Sequence, residues 1–200
     1  MDPCPGRIAD QHDAEIDRLL ALDSYGIADT PDEEAFDDLT ELAAHVCATP
    51  MALVGFIDAD RQWIEARHGL GICETPRERT FCTHVISDPQ LLEVSDAWLD
   101  SRFSSHPMVI GEPYLRFYAG APLITPDGHV LGTLCVMDTE PRSLSAVQRK
   151  HLQTLAAQVI ALLELRRRAR QFASEVKARR AADAALRQQQ RMLDGVLNHT

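Results

Sequence analysis

The C-terminal quarter of the sequence is a proline-free stretch in which apolar residues recur every three or four positions. In alternating steps of three and four from Leu155, nine of thirteen positions are apolar, and no proline follows residue 146. An average spacing of about 3.5 residues is typical of a coiled-coil helix. The stretch therefore predicts one long helix. Its predicted dimer seam is Leu162, Leu165, Ala169, Phe172, Val176, Leu186, Leu193 and Leu197.

This predicted helix needs a partner, because beyond Arg166 only the seam remains apolar. Polar residues interrupt the seam at Arg179, Asp183 and Gln190, and such residues fix register and strand number at a cost in stability. The pattern predicts a parallel homodimer in which the helix transmits a signal. An ordinary dimerisation helix and an antiparallel hairpin in a longer chain remain as alternatives.

The net charge of −10 is unevenly distributed along the chain. Residues 1–60 hold 15 acidic and 2 basic residues, whereas residues 166–200 hold 3 acidic and 9 basic residues. Most of the acidic residues fall on predicted amphipathic helices, which indicates a solvated helix surface. The tail arginines lie around the helix rather than along one stripe, so neither a nucleic acid nor a membrane surface is the expected partner.

The five cysteines predict reduced thiols. Their number is odd, their spacing is irregular and no secretory signal precedes them, which favours a cytoplasmic protein. The sequence contains no run of 18 apolar residues, so it predicts no membrane-spanning helix. Cys47 and Cys135 lie in apolar stretches and are predicted to be core residues, whereas the roles of Cys73 and Cys82 are open.

The middle of the chain alternates short apolar segments with turns. Residues 51–57, MALVGFI, predict a strand covered on both faces, and residues 62–66 predict its hairpin partner. Residues 115–124 and 130–137 predict a second hairpin around a Pro-Asp-Gly turn. Helices are predicted before the first strand, and a Ser145–Gln148 capping box predicts the start of the last helix. Hairpins between terminal helices indicate an α+β fold.

Three segments resemble a bacterial GAF domain of the kind that begins sensor histidine kinases and related receptors. They are LLALDSYGIADTPDEEAFDDLTELAAHVCATPMALVGFIDADRQW, ETPRERTFCTHVI and FYAGAPLITPDGHVLGTLCVMDTEPRSLSAVQ. The resemblance implies a six-stranded antiparallel sheet with helices packed on one face, loops over a ligand pocket on the other, and homodimerisation. The expected organisation is a helical lead-in (1–17), a GAF domain (18–163) and a coiled-coil signalling helix (164–197). RMLDGVLNHT resembles the lead-in to a PAS domain, placed at 192–200.

The family implies several pocket ligands, namely cyclic nucleotides, linear tetrapyrroles, haem or none. The residues Phe81-Cys82-Thr83-His84 offer a cysteine and a histidine, but their flanks differ from the phytochrome pattern, and the cyclic-nucleotide motif is absent. The segment from His68 to His84 contains candidate zinc ligands, but it has no Cys-x-x-Cys pair, which structural zinc sites usually show. We therefore expect no cofactor and no metal, and an unidentified small molecule as the ligand. The predicted ligand-binding residues are Trp63, Phe81, Cys82, His84, Phe117 and Tyr118.

No catalytic motif occurs in the sequence: phosphate-binding loop, nucleophile elbow and kinase signatures are all missing. The resemblance implies a non-catalytic sensory module that signals through its dimeric helix to an output domain. A histidine kinase is the first expectation for that output, followed by a diguanylate cyclase or phosphatase. One alternative is a thiol redox sensor or a methionine-sulfoxide-reductase-like enzyme that uses Cys82, with Cys73 as a second thiol. The other is a ligand-free structural dimerisation module.

Overall fold

The computed structural model describes residues 5–27 and 34–197, with side chains from residue 12 onward and, in the last helix, up to residue 185 and at 187 and 188. The helices and strands occur in this order: α1 (Pro5–Tyr25), α2 (Glu34–Cys47), β1 (Met51–Ile57), β2 (Arg61–His68), β3 (Glu74–Pro76), a short 3-10 helix (Arg77–Arg79), α3 (Cys82–Ser87), β4 (Leu92–Val94), α4 (Pro107–Ile110), β5 (Phe117–Ile124), β6 (Val130–Asp138) and α5 (Ala146–Leu197). In the described part of the chain, no helix has the length and apolar character needed to cross a membrane.

The six strands form one antiparallel sheet in the order β3-β2-β1-β6-β5-β4. The predicted α+β class with a six-stranded sheet is confirmed, and both predicted hairpins form, β1 with β2 and β5 with β6. Strand β3 was not predicted, because its three residues lie in a stretch without apolar alternation. It pairs with β2 through Trp63 and its neighbours and extends the sheet at that edge.

The two faces of the sheet have different coverings. Val54 and Leu134 lie on the helix face, where α2 packs against β1, β2 and β6 and α1 packs against β6. Cys135 and Met137 lie on the opposite face, here called the loop face, where α3 and the segments before β5 cover the sheet. Successive strand residues point to opposite faces, so each strand contributes to both sides. The two faces together bury β1 and β6 completely.

A buried arginine attaches α1 to the sheet. Arg18 is 4% exposed and donates to the carbonyl oxygen of Ile57 at 2.7 Å and to both carboxylate oxygens of Glu15 at 2.8 Å. Arg77 also donates to Glu15. Burial raises the pKa of Glu15, but the hydrogen bonds and charges of the two arginines outweigh it and lower that pKa to about 2. The α1 helix includes residues of both the predicted lead-in (1–17) and the predicted GAF domain (18–163).

The chain forms two compact units, residues 1–162 and 163–200. The predicted capping box is confirmed, since the Ser145 amide donates to Gln148 Oε1 and the Gln148 amide donates to Ser145 Oγ. In the first unit, the Gln148 side chain also donates to the carbonyl oxygens of Val46 and Cys47 at 3.3 and 3.2 Å. It thereby joins α5 to the end of α2.

The second unit is the remainder of α5. Two predicted seam residues are largely exposed here, Leu165 at 65% and Phe172 at 68%, and Val176 is half-buried. The side chains of Leu186, Leu193 and Leu197 lie outside the described residues, as do residues 198–200 of the predicted PAS lead-in.

Candidate functional site

A small cavity lies on the loop face, between the sheet and the segment that leads into α3. It has a volume of about 20 Å³, roughly the room for one water molecule. Its walls combine apolar side chains with a few polar ones. They include Leu53, Gln62, Ile64, Phe81, Cys82, Met108, Tyr118, Cys135 and Met137.

The sulfur atom of Cys82 is the centre of the polar part of this wall. The Cys82 side chain is 2% exposed. Its Sγ accepts hydrogen bonds from Thr133 Oγ1 at 3.0 Å, from Tyr118 Oη at 3.3 Å and from Gln62 Nε2 at 3.3 Å. The three donors come from three different strands, so the sheet itself shapes the site. We call Cys82, its three donors and the neighbouring Cys135 the thiol cluster.

A further residue orients the amide donor of the thiol cluster. Thr80 donates its hydroxyl proton to Gln62 Oε1 and accepts from the backbone amide of Cys82 at 3.1 Å. With Oε1 engaged, the amide nitrogen of Gln62 is directed at the sulfur. The hydrogen bond at Oε1 therefore fixes which end of the Gln62 amide faces the Cys82 sulfur.

Two glycines provide the space that the donors occupy. A Cβ atom on Gly55 would lie 2.2 Å from Gln62 Nε2, and one on Gly120 would lie 2.3 Å from Tyr118 Oη. Neither glycine has a backbone conformation that excludes other residues, so the requirement is one of space. The two donor groups occupy the space that a side chain at these positions would fill.

The hydrogen bonds change the acidity of the thiol. Burial raises the pKa of Cys82, but the polar side chains around it, those of Cys135, Thr133 and Tyr118 among them, outweigh burial and lower that pKa to about 6. Burial and the neighbouring sulfur raise the pKa of Cys135 and of Tyr118 well above their ordinary values. In the thiol cluster, Cys82 is thus the group that ionises first, and Cys135 and Tyr118 remain protonated donors.

The structure brings together only some of the predicted ligand-binding residues. Phe81, Cys82 and Tyr118 line the cavity, with the rings of Phe81 and Tyr118 stacked at 5.1 Å between centroids. His84 is exposed, with its ring edge on Phe103 at 4.8 Å.

Trp63 and Phe117, the other two predicted ligand-binding residues, do not line this cavity. Trp63 packs on Phe56 of the helix face, with 5.4 Å between ring centroids, and Phe117 alternates with Tyr118 along β5. A shift of one residue along a strand moves a side chain to the opposite face. The sequence identified the strands but not which alternate residues face the loops.

Three residues of the cluster were missed or assigned only to the core: Gln62, Thr133 and Cys135. Cys135 is buried as predicted, but it also adjoins Cys82. The signal that could have found it is the period-two alternation on β6, which places Thr133, Cys135 and Met137 on one face. Cys73, the predicted second thiol, is exposed and does not line the cavity.

A wider groove of about 490 Å³ lies outside the cavity. Four residues line both spaces: Ile72, Thr75, Arg79 and Met108. These shared residues separate the groove from the cavity. Arg116 donates to the two carboxylate oxygens of Asp96 at 2.7 and 2.6 Å. Among the residues that the structure describes, no group of three or more His, Cys, Asp or Glu side chains is placed to hold a metal ion.

The sequence matches a protein-family model and is similar to a protein of named function. The family model described as GAF domain matches residues 32–163. A cyclic di-GMP phosphodiesterase from Pseudomonas aeruginosa is 44% identical over 128 residues, which are 64% of this chain and 22% of that protein. The chain therefore spans about a fifth of that relative's length.

Solved structures show the same fold at low sequence identity. The GAF domain of an Acinetobacter phosphoenolpyruvate-protein phosphotransferase has a TM-score of 0.57 and 19% identity, over 75% of this chain and 92% of its own. A domain of a protein described as a two-component sensor histidine kinase from Sinorhizobium meliloti has a TM-score of 0.55 and 16% identity, over 72% and 97%.

Proposed function

Because this chain belongs to the GAF domain family, we propose that it is a sensory module that passes a signal through a dimeric α5 helix to an output domain. The sensing site is the loop face with its cavity and groove. The transmitting element is the part of α5 after residue 162, which begins in the sequence where the sensory unit ends.

The observation that carries this proposal is the exposure of the apolar seam on α5. Leu165 and Phe172 lie seven residues apart, and more than half of each side chain is exposed. Large apolar residues at heptad spacing lose contact with water when two helices pair. A second copy of this chain presents the same seam, which supports a parallel homodimer.

Sedimentation velocity on a seam variant tests the dimer. Phe172→Glu places a charge in the seam, and we expect it to shift the chain towards monomer. Ser174→Glu introduces the same charge on the exposed outer side of the helix, so we expect it to leave the dimer unchanged. Truncation after Leu165 should also weaken the dimer. An undiminished dimer in both Phe172→Glu and the truncation would assign the interface to residues 1–162 instead.

For the output domain, we propose an enzyme of cyclic di-GMP turnover in preference to a histidine kinase. The support is the relative that is 44% identical, whose name is a cyclic di-GMP phosphodiesterase. The histidine kinase expectation has support only at the level of fold. Replacing the matched segment of that phosphodiesterase with residues 32–163 tests the proposal. We expect the chimera to hydrolyse cyclic di-GMP and to respond to Cys82→Ser; an inactive chimera or one indifferent to Cys82→Ser would contradict it.

The size of the cavity bears on the ligand. A volume of about 20 Å³ is far below the several hundred cubic ångströms typical of sites for drug-sized molecules. A larger ligand would have to occupy the groove or displace the four residues that separate groove and cavity. Native mass spectrometry of the purified chain reports a retained ligand and the oligomer together. A chain with no retained ligand would favour the structural dimerisation alternative or direct chemistry at the thiol.

The second candidate function is thiol chemistry at Cys82, as a redox sensor or a reductase of methionine sulfoxide. The low pKa of Cys82 favours it, because the thiolate is the reactive form of cysteine. An assay of methionine sulfoxide reduction with a thiol reductant distinguishes the reductase from the redox sensor. If turnover occurs and Cys82→Ser abolishes it, the enzyme is supported; if no turnover occurs, only the sensor remains.

A further inference from the structure

We propose that Cys82 and Cys135 form a reversible disulfide when the chain meets a hydroperoxide, with Cys82 as the attacking thiol and Cys135 as the resolving one. The inference rests on the second candidate function above, and it names the partner thiol and the oxidant class. It differs from the sequence expectation, in which Cys73 was the second thiol.

The pairing follows from where the two sulfur atoms lie. Cys82 begins α3, which packs on β6, and Cys135 is in the middle of β6. Both side chains line the same cavity, and the Cys135 thiol lies close enough to Cys82 to lower its pKa. Cys73 is exposed, does not line this cavity, and is therefore poorly placed to resolve a reaction at Cys82.

The donors of the thiol cluster prepare Cys82 for attack. Thr133, Tyr118 and Gln62 direct their protons at its sulfur and stabilise negative charge on it. Cys47 provides the contrast, because it is also buried but burial alone acts on it and raises its pKa to about 11. Two buried thiols of one chain thus differ in readiness to react.

The cavity gives a small oxidant a place to react. Its room for about one water molecule suits hydrogen peroxide better than a bulky hydroperoxide. The groove reaches the same walls through Ile72, Thr75, Arg79 and Met108. Small movements of these side chains connect the surface with the sulfur atom of Cys82.

The chemistry balances with a hydroperoxide as the only co-reactant. The Cys82 thiolate attacks the terminal peroxide oxygen, the O–O bond breaks, and the alkoxide or hydroxide leaves and takes up the proton that Cys82 had released. Cys82 is then a sulfenic acid. The Cys135 sulfur attacks the Cys82 sulfur, the S–O bond breaks, and water leaves with the thiol proton of Cys135. Two sulfur atoms lose one electron each, and the O–O bond gains both.

Oxidation changes the hydrogen bonding of the sensing site. A disulfide sulfur is a weak, uncharged acceptor, so the buried hydroxyl of Tyr118 and the amide of Gln62 lose a strong partner. Unpaired buried donors are costly, which favours rearrangement of these side chains. Phe81 stacks on Tyr118 and immediately precedes α3. A rearrangement of Tyr118 in the oxidised site would therefore reach α3 through Phe81.

Disulfide mapping on the full 200-residue chain tests the inference. The reduced chain is treated with stoichiometric hydrogen peroxide, its remaining thiols are alkylated, and its peptides are analysed by mass spectrometry without reduction. We expect one dominant cross-linked pair that joins Cys82 to Cys135, lighter than the separate peptides by two hydrogen atoms, and its loss on treatment with dithiothreitol. This measurement needs no variant, so it does not depend on how a substitution affects folding.

Matched variants sharpen the result. Cys47→Ser and Cys73→Ser should both leave the cross-link intact. Cys135→Ser should abolish it and leave a sulfenic acid on Cys82 that dimedone traps. A dominant Cys82–Cys73 or intermolecular cross-link, or a sulfenic acid that persists on Cys82 while Cys135 is present, would overturn the assignment of Cys135. Such a persistent sulfenic acid would leave thiol sensing by Cys82 itself standing, so the two failures are distinguishable.

Discussion

Cys47 and Cys82 are both buried, on opposite sides of the sheet, and they differ in what surrounds their sulfur atoms. Cys47 ends α2 on the helix face, where burial raises its pKa to about 11. Cys82 lies on the loop face, where the donors of the thiol cluster lower its pKa to about 6 against the effect of burial. The comparison indicates that hydrogen bonds to a buried thiol can outweigh the effect of burial on its pKa. Both faces bury apolar side chains, and the loop face also carries the thiol cluster.

The largest effect on stability is expected from the helix face. Leu134 is fully buried in β6, and Leu134→Ala should lower the free energy of unfolding by about 3 kcal/mol, because it leaves a cavity in close-packed surroundings. Urea denaturation measures this loss. Leu99→Ala is the control, since Leu99 is 80% exposed, and it should change little. If Leu134→Ala shifts the pKa of Cys82 substantially, the two faces are not separable as described.

The next effect is a pH dependence that arises from the loop face. The pKa of Cys82 is lower in the folded chain than its ordinary value of 9.0. Between pH 6 and 9 the unfolded chain therefore binds more protons, and stability rises with pH. The contribution is lost as the pH falls through 6. From pH 6 to 8 the gain should reach about 2 kcal/mol at most.

Urea denaturation of the wild type and Cys82→Ser across this range isolates that contribution. His106 also titrates nearby, with a pKa lowered by burial, and its effect cancels in the difference between the two proteins. The gap in stability should widen as the pH rises. A gap that stays constant or narrows would mean that Cys82 remains a neutral thiol.

Gly55→Ala tests the space that the loop face keeps for Gln62. The new methyl group would meet Gln62 Nε2 and displace the amide from Cys82, so we expect a loss of about 1–2 kcal/mol and a higher pKa of Cys82. Gly71→Ala adds the same methyl group where no atom lies within 4 Å. Thermal denaturation and the thiol titration should separate the two variants. Equal behaviour would contradict the role given to Gly55.

The smallest change is Tyr118→Phe, which removes one donor from the Cys82 sulfur. The expected loss of stability is about 1 kcal/mol, and the pKa of Cys82 should rise. Tyr114→Phe is the matched control, because Tyr114 is 57% exposed. Alkylation rates at neutral pH give the measurement: Tyr118→Phe should slow the reaction of Cys82 and Tyr114→Phe should not.

The sequence predicted the fold better than the site, for reasons visible in particular residues. The apolar run of β1 and the Pro-Asp-Gly turn before β6 act locally, so both hairpins could be recognised. The thiol cluster joins residues 62, 82, 118, 133 and 135 through long-range contacts. Whether an aromatic such as Phe117 faces the helices or the loops depends on strand register, which composition does not encode.

The pKa of Cys82 is the most direct test of the claim that the loop face makes a buried thiol reactive. It can be measured from the ultraviolet absorbance of the thiolate during a pH titration, as the difference between the wild type and Cys82→Ser. Because the other four cysteines are present in both proteins, their absorbance cancels. We predict a midpoint near pH 6. A midpoint at or above the ordinary thiol value of 9.0 would contradict the account.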